Sequence, residues 1–293
     1  MEKFNYKNYT NNYPDLKFLS ETNAFNHWLK FGKKENRTCN PFLNDYSKYC
    51  IKGYTDLLSD ILSDKIIFDK KIPKIIFKTS WHTRDNMHCS IKYALEITKN
   101  LNPNHEIYYF DNQEVEQFMK DYSEKAYSAW LKIKPSAFKC DLWRYCILEK
   151  YGGCYSDIGH VMNIPFNDII GNFNFILTNG FLKEGIHNAL ICCCKSNSFI
   201  KKAIDICLNN IENNYYGEND IDITGPFMLS KINIPPNTKM LNHIVYVTKI
   251  DANIIVDNKK IVCFTKFKDY YKIMYESKQD YHILWKNGDI YNK

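Results

Sequence analysis

PSAFKCDLWRYCILEKYGGCYSDIGH, residues 135–160, holds the strongest helical pattern of the chain and the break that ends it. Pro135 suits a first helical turn, where its missing N–H is not needed. Phe138, Leu142, Tyr145 and Leu148 are spaced for one buried side, and Gly152-Gly153 stops the helix. Asp141 and Arg144, three positions apart, share another flank. On spacing alone they form a surface ion pair worth roughly a few tenths of a kcal/mol. After the glycines, Cys154, Ser156 and Ile158 alternate with Tyr155, Asp157 and Gly159 as on a strand. An aspartate at a strand end of an open α/β sheet is placed to meet a cation or a sugar hydroxyl. Divalent ions take such carboxylate oxygens, and an ion of this kind neutralises a departing diphosphate. Glycine at 153 and 159 lets backbone come close to a bulky ligand.

Upstream, the period changes. KIPKIIFKTSW (71–81) carries a short apolar run after a proline, the pattern of a buried strand. HCSIKYALEITKNLNP (88–103) reads as a helix, HEIYYFD (105–111) as a second strand and NQEVEQFMKDY (112–122) as a second helix. This order predicts an α/β sheet with parallel crossovers. Residues 41–71 form a connector with a helix near 54–63. Residues 1–40 read as a small helical module: in SETNAFNHWLKFG (20–32) Ser20 is the N-cap, Gly32 the stop, and Ala24, Phe25, Trp28 and Leu29 one apolar face. His27 is a helix-flank residue.

With 293 residues, 45% hydrophobic and 25% charged, the chain can bury one large α/β core plus a small appendage. Its net charge of +6 (39 basic against 33 acidic) mildly favours an anionic small ligand. No basic stripe with interleaved aromatics points to nucleic acid. The Lys-Lys pairs at 33–34, 70–71, 201–202 and 259–260 read as solvated faces or element ends. No apolar signal segment opens the sequence and no run approaches the ~20 apolar residues of a membrane span. The expectation is a cytoplasmic protein without a transmembrane segment, its 11 cysteines reduced. Cys192, Cys193 and Cys194 are consecutive, so a strand splits them between faces and they cannot converge on one metal.

AFKCDLWRYCILEKYGGCYSDIGH (137–160) resembles the signature of glycosyltransferase family 32, DXD-containing sugar transferases that include the yeast initiating mannosyltransferase, and is similar to the glucosylating clostridial toxins. IPKIIFKTSW (72–81) looks like their opening strand, ITGPFMLSK (223–231) like their Thr-Gly-Pro segment, and YHILWKNGDIY (281–291) like their C-terminal closure. The likeness spans about residues 72–293. It implies a GT-A fold: Rossmann-like α/β with a mixed, mostly parallel central sheet. It further implies a nucleotide-sugar donor and transfer with retention.

Carried over residue by residue, Asp141 and Arg144 match the helix pair that holds the donor sugar hydroxyls. Tyr155 matches the aromatic beside the nucleotide. Asp157 matches the first aspartate of DXD, which reaches ribose and metal. The second aspartate is replaced by Gly159. His282 is the better second ligand for Mn2+ or Mg2+, with a surface histidine as the alternative, and His160 is read as structural. A metal-independent enzyme, its diphosphate neutralised by Arg144 and lysines, stays open. Phe77 stands where the family has histidine. Trp81 stacks on the base or belongs to the core. Thr224 and Gly225 line the donor or acceptor side, or else Thr224 caps a helix with Pro226 in its first turn. Trp285 closes over the pyrophosphate or packs on the sheet edge.

The leading expectation is therefore a cytoplasmic retaining glycosyltransferase, bacterial or viral in type and acting in the host cytoplasm if viral. It moves a sugar from a UDP-sugar, or second a GDP-sugar, to a glycan, protein or other hydroxyl acceptor. The alternative is a degenerate relative that binds nucleotide or glycan without turnover. A metal-dependent hydrolase using Asp157 and His160 lacks enough convergent ligands.

Overall fold

The structure, a computed structural model, describes residues 6–12, 16, 18–32, 51–66, 68, 71–180, 185–246, 252–266 and 281–292. The expected lysine pair at 33–34, Lys70 and the 41–50 stretch of the connector lie outside the described residues. The chain divides into two compact units, Met1–Cys50 and Ile51–Lys293.

In the first unit, α1 (Tyr6–Asn12) and α2 (Glu21–His27) lead into a π-turn, Trp28–Gly32. Ser20 caps α2 as expected, its Oγ accepting from the Asn23 N–H. A Cβ on Gly32 would meet the Tyr9 hydroxyl at 2.1 Å, so a side chain at this stop would displace the Tyr9 ring. The four-residue apolar face is narrower than its spacing suggests. Ala24 and Trp28 pack with Tyr9 and Leu16, whereas Phe25 and Leu29 are 40% and 45% exposed. So small a unit has core room for one residue per turn.

The second unit follows the expected order: α3 (Tyr54–Leu62), β1 (Ile75–Thr79), α4 (Cys89–Leu101), β2 (Glu106–Phe110), α5 (Asn112–Tyr122), α6 (Glu124–Lys132), α7 (Ser136–Tyr151) and β3 (Gly153–Ser156). Then come β4 (Val161–Met162), α8 (Phe166–Ile170), β5 (Phe175–Asn179), β6 (Leu190–Cys193), α9 (Ser198–Glu212) and α10 (Pro226–Ser230). The chain closes with β7 (Thr238–Tyr246), β8 (Ala252–Asp257), β9 (Lys260–Phe264) and α11 (Tyr281–Lys286). One mixed nine-stranded sheet runs β2-β1-β3-β6-β5-β7-β8-β9-β4. The pairings β1–β2, β1–β3 and β5–β7 are parallel. The other pairings are antiparallel, because β6 returns directly onto β5 and the C-terminal strands form a meander. No described helix is long and apolar enough to cross a membrane.

Strand alternation divides the core between two faces. Phe77, Tyr155, Ile191 and Cys193 join α5, α6, α7 and α9 on one side. Ile76, Cys154, Leu190 and Cys192 join α4 and α8 on the other, so Cys192 and Cys193 do separate.

Two local expectations change. First, α7 is buried almost all round from Phe138 to Tyr151, packed against β3, α5, α9 and α11. Its polar pair therefore lies inside the protein, with Asp141 8% and Arg144 6% exposed. Second, alternation stops at Ser156. Residues 157–160 form a turn, closed by the His160 N–H donating to the Asp157 carbonyl at 3.0 Å. Pro135 sits one position earlier than expected, as N-cap.

The double glycine is a steric necessity. Gly152 has φ +67° and Gly153 φ +93°, where L side chains are strained. A Cβ would also meet Lys195 N at 2.6 Å from Gly152, and Ile75 O at 2.9 Å from Gly153. The chain can thus turn from α7 into the sheet beside β1 within two residues.

Candidate functional site

The turn that leaves β3 brings Asp157 back to the polar pair of α7. The Arg144 guanidinium lies 3.2 Å from Asp141 and 3.6 Å from Asp157, bridging two carboxylates. It stands 4.4 Å over the Tyr155 ring, a cation–π contact strengthened by burial. Its Nη1 donates to the Asn188 carbonyl at 2.8 Å and Nη2 to Cys140 Sγ at 3.3 Å. Tyr155 donates its hydroxyl to Asp157 Oδ1 at 2.6 Å. The three residues expected to carry the chemistry, Asp141, Arg144 and Asp157, thus form one network with Tyr155, the aromatic expected beside the nucleotide.

Asp141 is held from the far side. Thr224 Oγ1 donates to Oδ2 and Asn188 Nδ2 to Oδ1, both at 2.9 Å. Tyr145 locks this arrangement, donating to the Thr224 carbonyl and accepting from Asn188 Nδ2. Thr224 is therefore not a helix cap. Gly225 is the N-cap of α10 and the threonine hydroxyl is turned to Asp141 instead.

Lys78, which sequence reasoning passed over, lies wholly buried beneath the Asp157 turn. Its Nζ donates to Ser156 Oγ and to the Asp157 carbonyl, each at 3.1 Å. Ser156 Oγ in turn meets His160 Nδ1 at 3.1 Å, so His160 is a partnered structural residue. A lysine within a strand buried on both faces was the available signal. Asn188 gave none in an asparagine-rich chain.

None of the partners described for the remaining candidates belongs to this network. Trp81, at the end of β1, is 39% exposed and stacks on His82 with centroids 3.7 Å apart, so it is no core tryptophan. Trp285, half-buried on α11, donates Nε1 to the Tyr216 carbonyl at 2.6 Å. His282, on the same helix, is paired through Nδ1 with Asp220.

The two carboxylates differ in proton affinity. Burial pushes Asp141 up to about 6 against the pull of Arg144 and the Thr224 and Asn188 bonds. Burial works on Asp157 too, but Arg144, His160 and the Tyr155 hydroxyl hold it below the usual carboxylate range. Its side chain keeps 31% exposure, which favours the ionised form. Burial lowers Lys78 to about 8, so it remains charged at neutral pH.

Such a site can grip a polyhydroxy ligand. A carboxylate fixed by two neutral donors still has lone pairs for sugar hydroxyls, and a bridging guanidinium donates to sugar or phosphate oxygens. For a divalent ion, the donor set is thin. Asp157 contributes hard carboxylate oxygen, Gly159 nothing, and no group of three His, Cys, Asp or Glu side chains among the described residues could hold a metal. Asp157 would supply hard carboxylate oxygen to such an ion, which would offset charge on a phosphate group.

Residues 88–176, which contain α7, β3 and the Asp157 turn, match the family model described as the glycosyltransferase sugar-binding region containing a DXD motif. The match spans 89 of 293 residues. Among solved structures the chain is similar to the PaToxG glycosyltransferase, with 17% identity over 64% of this chain and 79% of that one, at a TM-score of 0.44. No curated protein matches. By the family-model match, the protein is a glycosyltransferase that draws on a nucleotide-sugar donor.

Proposed function

We propose that the protein is a retaining glycosyltransferase of the family 32 type, with residues 72–293 as its GT-A domain and residues 1–40 as an appended helical module. Its donor is a UDP-sugar, with a GDP-sugar as second choice. Its acceptor is a hydroxyl of a glycan, protein or other molecule. The observation that carries this reading is the meeting of Asp141, Arg144, Asp157 and Thr224 in one hydrogen-bonded network.

In this reading Asp141 accepts from donor-sugar hydroxyls and Arg144 donates to sugar and phosphate oxygens. Tyr155 and Trp81 flank the nucleotide, Thr224 and Gly225 border the sugar, and Trp285 covers the diphosphate. Asp157 reaches ribose and, with His282 as the second candidate, holds Mn2+ or Mg2+. When bound, such an ion neutralises charge on the departing diphosphate. The sugar's C1–O bond to phosphate breaks and a C1–O bond to the acceptor forms on the same face. The acceptor proton passes to the leaving diphosphate, so no protein base is required.

Incubation with a panel of nucleotide sugars, measuring nucleotide release with and without manganese, tests this. The expected result is release from one donor, abolished by Asp141→Asn and sharply reduced by Asp157→Asn. Gly159 favours a second reading, a protein that binds nucleotide or glycan without turnover. UDP binding unaffected by manganese, with no release from any donor by folded protein, would identify that case.

A further inference from the structure

A row of imidazoles leads away from the Asp157 turn. His160 faces His187 with parallel rings and centroids 6.4 Å apart, and His187 lies 4.2 Å from His243 of β7. His187 directly precedes Asn188, the residue that braces Asp141. Nδ1 of His187 and Nε2 of His243 are buried without a hydrogen-bond partner among the described residues. Buried polar atoms in folded proteins are nearly always partnered, so two orphans on adjacent rings call for a cause.

Charges of both signs surround the rings. Arg144 and Lys266 act on His187, Lys266 acts on His243, and Lys78 acts on His160; Asp157 opposes them at His160 and His187. Burial first, then these neighbours, hold His187 down to about 3 and His243 below its ordinary value, so both rings are neutral at pH 7. Two imidazoles fall short of the three protein ligands that a catalytic transition metal uses. An oxyanion meets this need, since it accepts N–H bonds from both rings.

We propose that His187 and His243 form an oxyanion subsite beside the sugar-binding network, taking a phosphate group through their ring N–H donors with Arg144 and Lys266 as flanking charges. The phosphate has two sources, the diphosphate of the donor or a phosphorylated acceptor, and in naming them the subsite rests on the transferase reading.

Calorimetry on the full chain separates the sources with three probes: UDP, uridine, and inorganic phosphate added to UDP-saturated protein. If the donor fills the subsite, His187→Asn and His243→Asn each weaken UDP at least about tenfold, the loss of a charged hydrogen bond, and leave uridine unchanged. If the acceptor fills it, the variants lose phosphate binding to the UDP-loaded protein. Equal binding of UDP and phosphate by wild type and both variants overturns the subsite. Histidine-dependent phosphate binding by a protein that ignores UDP would sink the nucleotide-donor reading and leave the subsite standing. A check that needs no variant is the ring 15N spectrum of the wild type. Resonances that shift with phosphate or UDP support the subsite, and none moving refutes it.

Discussion

Thr224 Oγ1 donates to Asp141 Oδ2 at 2.9 Å, joining the loop before α10 to the central helix across 83 positions of sequence. This bond satisfies a carboxylate that water scarcely reaches. A hydrogen bond to a charged group contributes about 1.5–3 kcal/mol. Thr224→Val should therefore lose about 2 kcal/mol in urea unfolding, within that range, while Thr224→Ser stays close to wild type. An equal loss in both variants would assign the effect to packing of the methyl group.

Arg144 stands between two carboxylates, and its removal leaves both without their cation. Breaking a buried charge pair by deleting one partner costs about 3–5 kcal/mol. Arg144→Met is expected to fall in that range by chemical denaturation. Arg144→Lys keeps the charge but not the fork to Asn188 and Asp141, so it should fold better and still transfer poorly. Full activity in Arg144→Lys would rule out bidentate recognition.

Asp141 sets a pH dependence whose sign is fixed by its raised proton affinity. Its folded value is about 6, against 3.8 for an ordinary aspartate. Between those values the folded state holds the extra proton, so this group favours folding below the lower value and loses that contribution as pH rises through about 6. Relative to Asp141→Asn, wild type should lose on the order of 3 kcal/mol of stability between about pH 4 and pH 7. Turnover runs the other way. It should rise through about 6 as Asp141 ionises, because the carboxylate accepts from more sugar hydroxyls, and more strongly, than the protonated acid. Parallel pH profiles of unfolding and nucleotide release in the two proteins check both limbs.

Gly152→Ala forces a side chain into left-handed backbone and onto Lys195 N at 2.6 Å. The backbone term alone is about 1–2 kcal/mol, and the clash adds to it. Circular dichroism melting should show a marked fall in Tm. Gly171→Ala serves as control, since it shares a positive φ but meets nothing within 4 Å.

Much of this architecture was legible in the letters. The alternation from Ile75 to Tyr122 gave strands and helices in the right order because apolar period and flanking Asn, Pro and Gly agreed. Asp141, Arg144 and Asp157 were singled out by a family signature, since spacing alone read the first two as a surface ion pair. The all-round burial of α7 was hidden, because Lys139, Asp141, Arg144 and Glu149 make its sequence look one-sided. Thr224 resembled a cap because Gly-Pro follows it, and only tertiary structure shows its hydroxyl turned to Asp141. Asn188 and His187 precede an ordinary apolar strand, and their neighbours come from residues 141 to 266. The meander β7–β9 was missed since its strands mix Lys, Asn and apolar residues without a clean period.

The helix that holds Asp141 and Arg144 has a neighbour on nearly every side. A substitution there disturbs sheet and helices together, so this wall of the site tolerates little evolutionary drift. Thr224 and Trp285 come from a loop and a six-residue helix. New sugar preferences should therefore arise around positions 220–226, and changes in diphosphate contact around 281–286, while the α7 face stays as it is.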